Sequence, residues 1–120
     1  MKPPAVDPKR LAAELEADAE VLRALAENGD IAELVRDVDL HFKGAEPDIV
    51  ALGDEAEDLG LEFIQFNEYE DGEWSVDFRL QSSIEPDIMA RLTHRALEIE
   101  LAYNVEYDGW GCAVQSGHKH

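Results

Sequence analysis

The apolar residues of this chain switch between two spacings, and the order of the switches limits the fold more than any other feature. A spacing of three and four residues is typical of a helix with one apolar side, whereas a spacing of two is typical of a strand with one buried face. The switches and the turn residues between them predict helix, strand, helix, strand, strand, helix and strand. The predicted helices begin at Pro8, Pro47 and Pro86 and end near Gly29, Gly60 and Asn104, and the predicted strands are residues 34–44, 61–69, 73–81 and a run from residue 105.

The strand at residues 34–44 shows the clearest alternation. Apart from Arg36, one of its sides is apolar from Leu34 to Phe42, and the other side carries Val35, Asp37, Asp39 and His41. The strand at residues 73–81 alternates in the same way, with Trp74, Val76, Phe78 and Leu80 on one side. Such strands place one face against a core and leave the other face open.

Gly53 stands inside the second predicted helix, where glycine is unfavourable. It costs about 1 kcal/mol relative to alanine in a helix interior. Its presence therefore predicts close packing against the backbone at this position.

The order of elements after the first helix matches the split β-α-β arrangement of ferredoxin-like folds. We expect an α+β two-layer sandwich with strand order 4-1-3-2, two helices on one face of the sheet, and the N-terminal helix beside them. Residues 112–114 are expected to continue the last strand past a bulge. The predicted organisation is a flexible segment at residues 1–7, a single domain at 8–114 and a disordered tail at 115–120.

The charge of the chain favours basic partners. Twenty-eight Asp and Glu oppose ten Lys and Arg, which gives a formal charge of −18. A surface of this sign repels phosphates, so we expect no direct binding of nucleic acid. It attracts basic proteins and accelerates their association, although a negative charge also simply keeps a protein soluble.

Several other classes of site are disfavoured by the sequence. No apolar run approaches the roughly 20 residues of a membrane span, and the N-terminus lacks the apolar region of a signal peptide. Cys112 is the single cysteine, and no histidine or basic residue near it in sequence would activate it. No phosphate-binding loop or paired CxxC occurs. We therefore expect a cytoplasmic protein that is not an enzyme and has no cofactor.

The open face of the predicted sheet is the candidate partner-binding surface. Polar residues of the first and third strands would meet there, and the last strand would add acidic and aromatic residues. The candidate partner-binding residues are Asp37, Asp39, His41, Asp77, Arg79, Glu106, Tyr107, Asp108 and Trp110. Tyrosine and tryptophan are enriched at binding hot spots. The simpler alternative is that this face is only solvated and binds no partner, and that Trp110 packs at the end of the core.

Two further function classes remain open from the residues alone. Asp39 and His41, with Asp77 within reach, have the donor types that hold a divalent ion, so a small metal-dependent enzyme is one alternative. An acidic protein that mimics nucleic acid, and binds through its helix surfaces, is another.

The C-terminal run Glu106-Tyr107-Asp108-Gly109-Trp110-Gly111 resembles the signature of the bacterial regulators of ribonuclease E activity, type B. The resemblance extends over an acidic first helix, a strand with His41-Phe42, and an acidic second helix that ends at Leu59-Gly60. It implies a ferredoxin-like sheet with an added N-terminal helix. It also implies a protein inhibitor that binds the basic, arginine-rich scaffold region of ribonuclease E, away from the catalytic centre, and alters RNA turnover.

Overall fold

The computed structural model describes residues 5–116 of the chain. Within them, helices and strands follow one another in the predicted order. They are α1 (Pro8–Glu27), β1 (Arg36–Gly44), α2 (Glu46–Asp54), β2 (Glu62–Glu68), β3 (Trp74–Ser82), α3 (Pro86–Tyr103) and β4 (Glu106–Gly111). Most bounds agree with the predicted ones to within about two residues, which is the usual uncertainty of element ends. No helix in this part of the chain is long and apolar enough to cross a bilayer.

The strands form one antiparallel sheet in the order β2-β3-β1-β4. This is the predicted order 4-1-3-2 written from the other edge, so the ferredoxin-like α+β fold is confirmed. In the central pair of strands, Leu40 lies opposite Phe78 and His41 lies opposite Asp77. Because successive residues of a strand point to opposite faces, these two pairs mark the two faces of the sheet.

One face of the sheet carries the core. Its central side chains are almost fully buried and come from β1 and β3: Val38, Leu40, Phe42, Val76 and Phe78. Apolar residues of the helices cover them, including Ile49 and Leu52 of α2 and Met89, Ala96 and Leu97 of α3. Burial of one large apolar side chain contributes about 1.5–3 kcal/mol. This helix-covered face therefore supplies most of the stability.

Gly53 confirms the prediction of close packing in α2. A Cβ atom at this position would lie 2.5 Å from Cζ of Phe66 and 3.5 Å from Cε1 of Phe63. The Phe66 ring of β2 thus rests directly on the helix backbone, and the lack of a side chain at Gly53 makes that contact possible.

The helix α1 packs beside α3, but the only residue of α1 that is fully buried is polar. The carboxylate of Asp18 accepts hydrogen bonds from Thr93 Oγ1 at 2.6 Å and from Trp110 Nε1 at 2.8 Å. The predicted apolar stripe is only half-buried at Leu11, Leu15, Leu22 and Leu25. A buried carboxylate needs such partners, so α1 is positioned by a polar contact as well as by its leucines.

The helix α2 ends earlier than predicted, at Asp54 rather than near Gly60, and residues 55–60 form turns. Four of the residues from 54 to 58 are acidic, and negative charge is unfavourable at the C-terminal end of a helix. A hydrogen bond with Asp58 and its charge raise the pKa of Glu55, which reflects this crowding. Ala56 and Leu59 still contact the core.

The predicted continuation of β4 through residues 112–114 is wrong, because β4 ends at Gly111. The following segment is held instead by the loop before β1. Gln115 donates its N–H to Asp30 Oδ1 at 2.8 Å, and its carbonyl accepts from the Ile31 N–H at 2.8 Å. A bulge does occur, but it lies within β4, where Gly109 has φ 95°.

The predicted terminal segments lie only partly within the described residues. In the segment predicted to be flexible, at residues 1–7, Val6 packs against the core and Asp7 caps α1 through the Lys9 N–H at 2.9 Å. In the predicted tail at residues 115–120, Gln115 makes the two hydrogen bonds given above. Residues 1–4 and 117–120 lie outside the described residues, so the flexible and disordered ends stay predictions.

Candidate partner-binding face

The face of the sheet opposite the core carries polar side chains from all four strands. The strand registers place Asp37, Asp39, His41 and Lys43 of β1 and Ser75, Asp77, Arg79 and Gln81 of β3 on it. The outer strands add Glu62, Gln65 and Asn67 of β2 and Glu106 and Asp108 of β4. We call this set the open face. It brings together seven of the predicted partner-binding residues: Asp37, Asp39, His41, Asp77, Arg79, Glu106 and Asp108.

Asp77 lies at the centre of the most connected group on the open face. His41 Nδ1 is 2.7 Å from Asp77 Oδ1, and Asp77 Oδ2 accepts from Gln65 Nε2 at 2.9 Å and from Asn67 Nδ2 at 3.1 Å. Partial burial acts to raise the pKa of Asp77, but the hydrogen bonds outweigh it and hold the pKa below its usual value. Asp77 is therefore a fixed negative charge near neutral pH.

Arg79 and Lys43, the permanent cations of the open face, each lie beside carboxylates. Arg79 Nε donates to Asp39 Oδ1 at 2.9 Å, and this hydrogen bond raises the pKa of Arg79. Lys43 Nζ lies 3.7 Å from Glu106 and 3.9 Å from Asp108, and its pKa is raised, first by Asp108 and then by Glu106. The basic side chains of the face thus stay charged and already have anionic partners.

The open face carries a surplus of negative charge. Its carboxylates are Asp37, Asp39, Glu62, Asp77, Glu106 and Asp108, whereas its permanent cations are Lys43 and Arg79. A shallow groove of about 730 Å³ runs along this face between the start of β1 and the segment after β4, and its charged lining residues are Asp37, Asp39, Arg36 and Arg79. The charges within the groove balance, so the surplus of carboxylates lies on the rest of the open face.

Tyr107 and Trp110 do not lie on the open face. Tyr107 is 3% exposed, its ring centroid is 5.4 Å from that of Phe42, and burial, followed by the charge of Asp18, raises its pKa. Trp110 is half-buried against the core and donates its indole N–H to Asp18. The structure therefore separates these two aromatic residues from the other seven and places them on the helix-covered face.

The geometry of β4 explains this separation. Tyr107 lies opposite Phe42, and Trp110 lies opposite Leu40, so both pair with core residues of β1. Without a bulge, residues 107 and 110 would point to opposite faces. The extra residue at the Gly109 bulge restores Trp110 to the side of Tyr107.

The aromatic residue that lies at the open face was not among the predicted partner-binding residues. Tyr69, just after β2, is 51% exposed, and its hydroxyl is 3.3 Å from Ser75 Oγ. Gln65 and Asn67 were not predicted either, because a register shift between Phe63 and Gln65 breaks the alternation of β2. The polar pair Gln65-x-Asn67 inside an aromatic run was the available signal.

A buried ion pair borders the groove and was also missed. The Arg36 guanidinium contacts Asp30, with both side chains almost fully buried, and donates to the Ile31 carbonyl at 2.7 Å. Burial acts to raise the pKa of Asp30, but the hydrogen bonds from Arg36 and from the Gln115 N–H, together with the charge of Arg36, outweigh it and lower the pKa. The position of Arg36 among the core-facing residues of β1 was the sequence signal for such a pair.

The residues considered for metal binding and for nucleophilic chemistry have other partners. Asp39 bonds to Arg79 and His41 contacts Asp77, and residues 5–116 contain no cluster of three or more side chains able to hold a metal ion. Cys112 lies near Arg36, which the sequence did not indicate, yet burial dominates and raises the pKa of the thiol.

One known protein family matches most of the chain. The model of the family described as "Regulator of ribonuclease activity B" matches residues 15–112, which include all four strands and most of α1. No curated protein is detectably similar to the chain. The resemblance seen in the C-terminal signature is confirmed, and the chain belongs to the regulator of ribonuclease activity B family.

Proposed function

We propose that this protein regulates ribonuclease E without catalysing a reaction, by binding a basic, arginine-rich scaffold segment of the enzyme on the open face. The family assignment supports a regulator of ribonuclease activity. The observation that carries the choice of surface is the surplus of carboxylates on the face that the helices leave uncovered.

The chemistry of the open face suits arginine. A guanidinium donates two parallel hydrogen bonds to a carboxylate and remains charged at any physiological pH. Asp37, Glu62, Glu106 and Asp108 are exposed, and the last two share the single cation Lys43. These carboxylates keep acceptor capacity for a ligand, and Tyr69 offers an aromatic surface at one end of the face.

Regulation then follows from occupancy. A basic segment that lies on the open face loses access to RNA and to other acidic partners, because its cations are already paired. The regulator changes RNA turnover in this way without approaching the catalytic centre of the enzyme.

The test compares two variants with the same net charge. Asp37→Asn with Asp108→Asn removes two carboxylates from the open face, and Glu16→Gln with Glu20→Gln removes two from the exposed side of α1. Binding to purified ribonuclease E scaffold fragments is measured by titration at rising salt. We expect the face variant to bind on the order of tenfold more weakly, as for two lost ion pairs, and the helix variant to bind as the parent does.

Two outcomes would reject the proposal. Binding that is absent, or unaffected by salt, rejects the electrostatic account. A larger loss in the helix variant than in the face variant favours binding through α1, as in a protein that mimics nucleic acid.

A further inference from the structure

The two outer strands of the sheet differ in how their free edges are protected. Both strands contain an irregularity, at Gly109 in β4 and between Phe63 and Gln65 in β2, and after β4 the chain folds back toward Asp30. Within residues 5–116, β2 pairs with β3 alone, and its sequence has neither lysine nor proline. Natural proteins usually protect a free edge with such residues, because unpaired N–H and C=O groups accept another strand.

The edge strand β2 also exposes apolar surface. Phe63 is 42% exposed, Ile64 is 37% exposed, and Tyr69 follows at the end of the strand. Aromatic and β-branched residues favour strand pairing. The edge therefore combines free backbone groups with side chains that an added strand would cover.

The charges along β2 select what can pair with it. Glu62 and Glu68 stand at its two ends, and Glu70 and Asp71 follow in the turn. The strand β2 holds the carboxylates of Glu62 and Glu68 and no basic residue, so a second copy of β2 would bring two more carboxylates to the edge. Like charges repel across an interface, so the strand opposes self-pairing and favours a basic strand.

The geometry points to β2 as a docking edge, at which an extended basic segment of a partner protein adds to the sheet as a further strand. Backbone hydrogen bonds supply affinity in this mode, and alternate side chains supply specificity. Lysine or arginine of the segment meets Glu62 and Glu68, while its apolar residues cover Phe63 and Ile64. The inference rests on the proposed function only in taking the partner to be a basic protein.

A synthetic peptide of about ten residues, in which arginine alternates with valine and threonine, is the probe. Its binding to the full chain is measured by fluorescence anisotropy. Two further peptides carry N-methyl groups on every second residue, one on the odd residues and the other on the even residues. Because the N–H groups of alternate residues point to the same edge of a strand, each peptide lacks the donors along one of its two edges. We expect one of these two peptides to bind at least about tenfold more weakly and the other to bind nearly as the parent peptide does. Equal binding of both overturns strand addition.

Protein variants locate the edge. We expect Ile64→Lys, and separately Glu62→Gln with Glu68→Gln, to weaken peptide binding about tenfold, while Glu16→Gln with Glu20→Gln on α1 leaves it within about twofold. The open-face variant Asp37→Asn with Asp108→Asn is measured beside them. Circular dichroism and thermal unfolding establish that each variant is folded, and the pair at Glu62 and Glu68 serves if Ile64→Lys does not fold. Loss only in the Asp-to-Asn pair assigns the peptide to the open face instead and overturns the inference.

The outcome separates this inference from the proposed function. If ribonuclease E fragments bind but the peptide does not, the docking edge is rejected and the function stands. If the peptide binds at β2 but the fragments do not bind, the edge stands and the named partner is rejected. A dimer in sedimentation that dissociates in Ile64→Lys shows that a second copy occupies the edge, and it overturns the choice of a basic partner.

Discussion

The two faces of the sheet use neighbouring residues of the same strands for different purposes. Phe42 is fully buried beneath the helices. His41, the residue before it in β1, lies in the polar group around Asp77. The helix-covered face also holds Tyr107 and Trp110, the aromatic residues of the family-like signature. The difference teaches that the aromatic residues of the signature stabilise the fold, while the proposed binding surface is made of ordinary polar residues.

The contacts of Trp110 show how an aromatic residue of the signature stabilises the fold. Its indole N–H reaches Asp18 across the gap between β4 and α1, and Thr93 of α3 donates to the same carboxylate. The signature therefore links the last strand to the first helix. We expect substitutions of Tyr107 and Trp110 to affect stability first and binding only through the loss of folded protein.

The largest expected difference between the two faces is at Phe42 and His41. Phe42→Ala leaves a cavity beside Phe78 and Tyr107, and it should lower the free energy of unfolding by about 3–5 kcal/mol. His41→Ala should lower it by less than about 1 kcal/mol, because His41 is 40% exposed and loses one surface contact. Urea unfolding measures the loss of unfolding free energy in both variants. Similar losses would contradict the assignment of the core to one face of the sheet alone.

A smaller effect is expected at Asp18. In Asp18→Ala the Thr93 hydroxyl and the Trp110 indole N–H both lose their acceptor inside the protein. The expected cost is about 1–3 kcal/mol, because a donor without its partner keeps its desolvation penalty. Glu20→Ala on the exposed side of α1 is the matched control and should change stability by less than about 0.5 kcal/mol. Equal unfolding midpoints for the two variants would show that Asp18 does not hold α1.

The smallest expected effect is a pH dependence at Asp77. Its pKa is lowered in the folded protein, so its ionised form contributes stability that is fully present above the ordinary value of 3.8 and is lost as pH falls through the lower folded value. We expect Asp77→Asn to be less stable than the parent at pH 7 by under about 1 kcal/mol. The difference in the free energy of unfolding between the parent and Asp77→Asn should shrink below about pH 4. Unfolding in urea at several pH values tests this, and a difference that grows on acidification would refute it.

The fold could be predicted from the sequence because its pattern is consistent over long segments. The alternation in β1 and β3 extends over most of each strand, and proline, glycine or asparagine marks the helix ends, so the element order and the strand order followed. The end of α2 was misjudged because the apolar spacing continues through Ala56 and Leu59. The acidic residues between them disfavour a helix there, and those side chains reach the core from turns.

The candidate site could be predicted only in part, since bulges change which face a residue occupies. The bulge at Gly109 places Trp110 with the core, and the irregularity after Phe63 places Gln65 and Asn67 on the open face. Neither shift is visible in a count of alternating residues. The long-range contact of Trp110 with Asp18 likewise has no local signal, because it joins the two ends of the chain.

The central claim is that a basic protein segment binds the side of the sheet that the helices leave open. Nuclear magnetic resonance titration of the labelled protein with a ribonuclease E scaffold fragment tests it most directly. The account predicts the largest chemical-shift changes at Asp37, Lys43, Asp77 and Asp108, with the exposed side of α1 unaffected. Changes confined to α1, with these open-face residues unchanged, would contradict it.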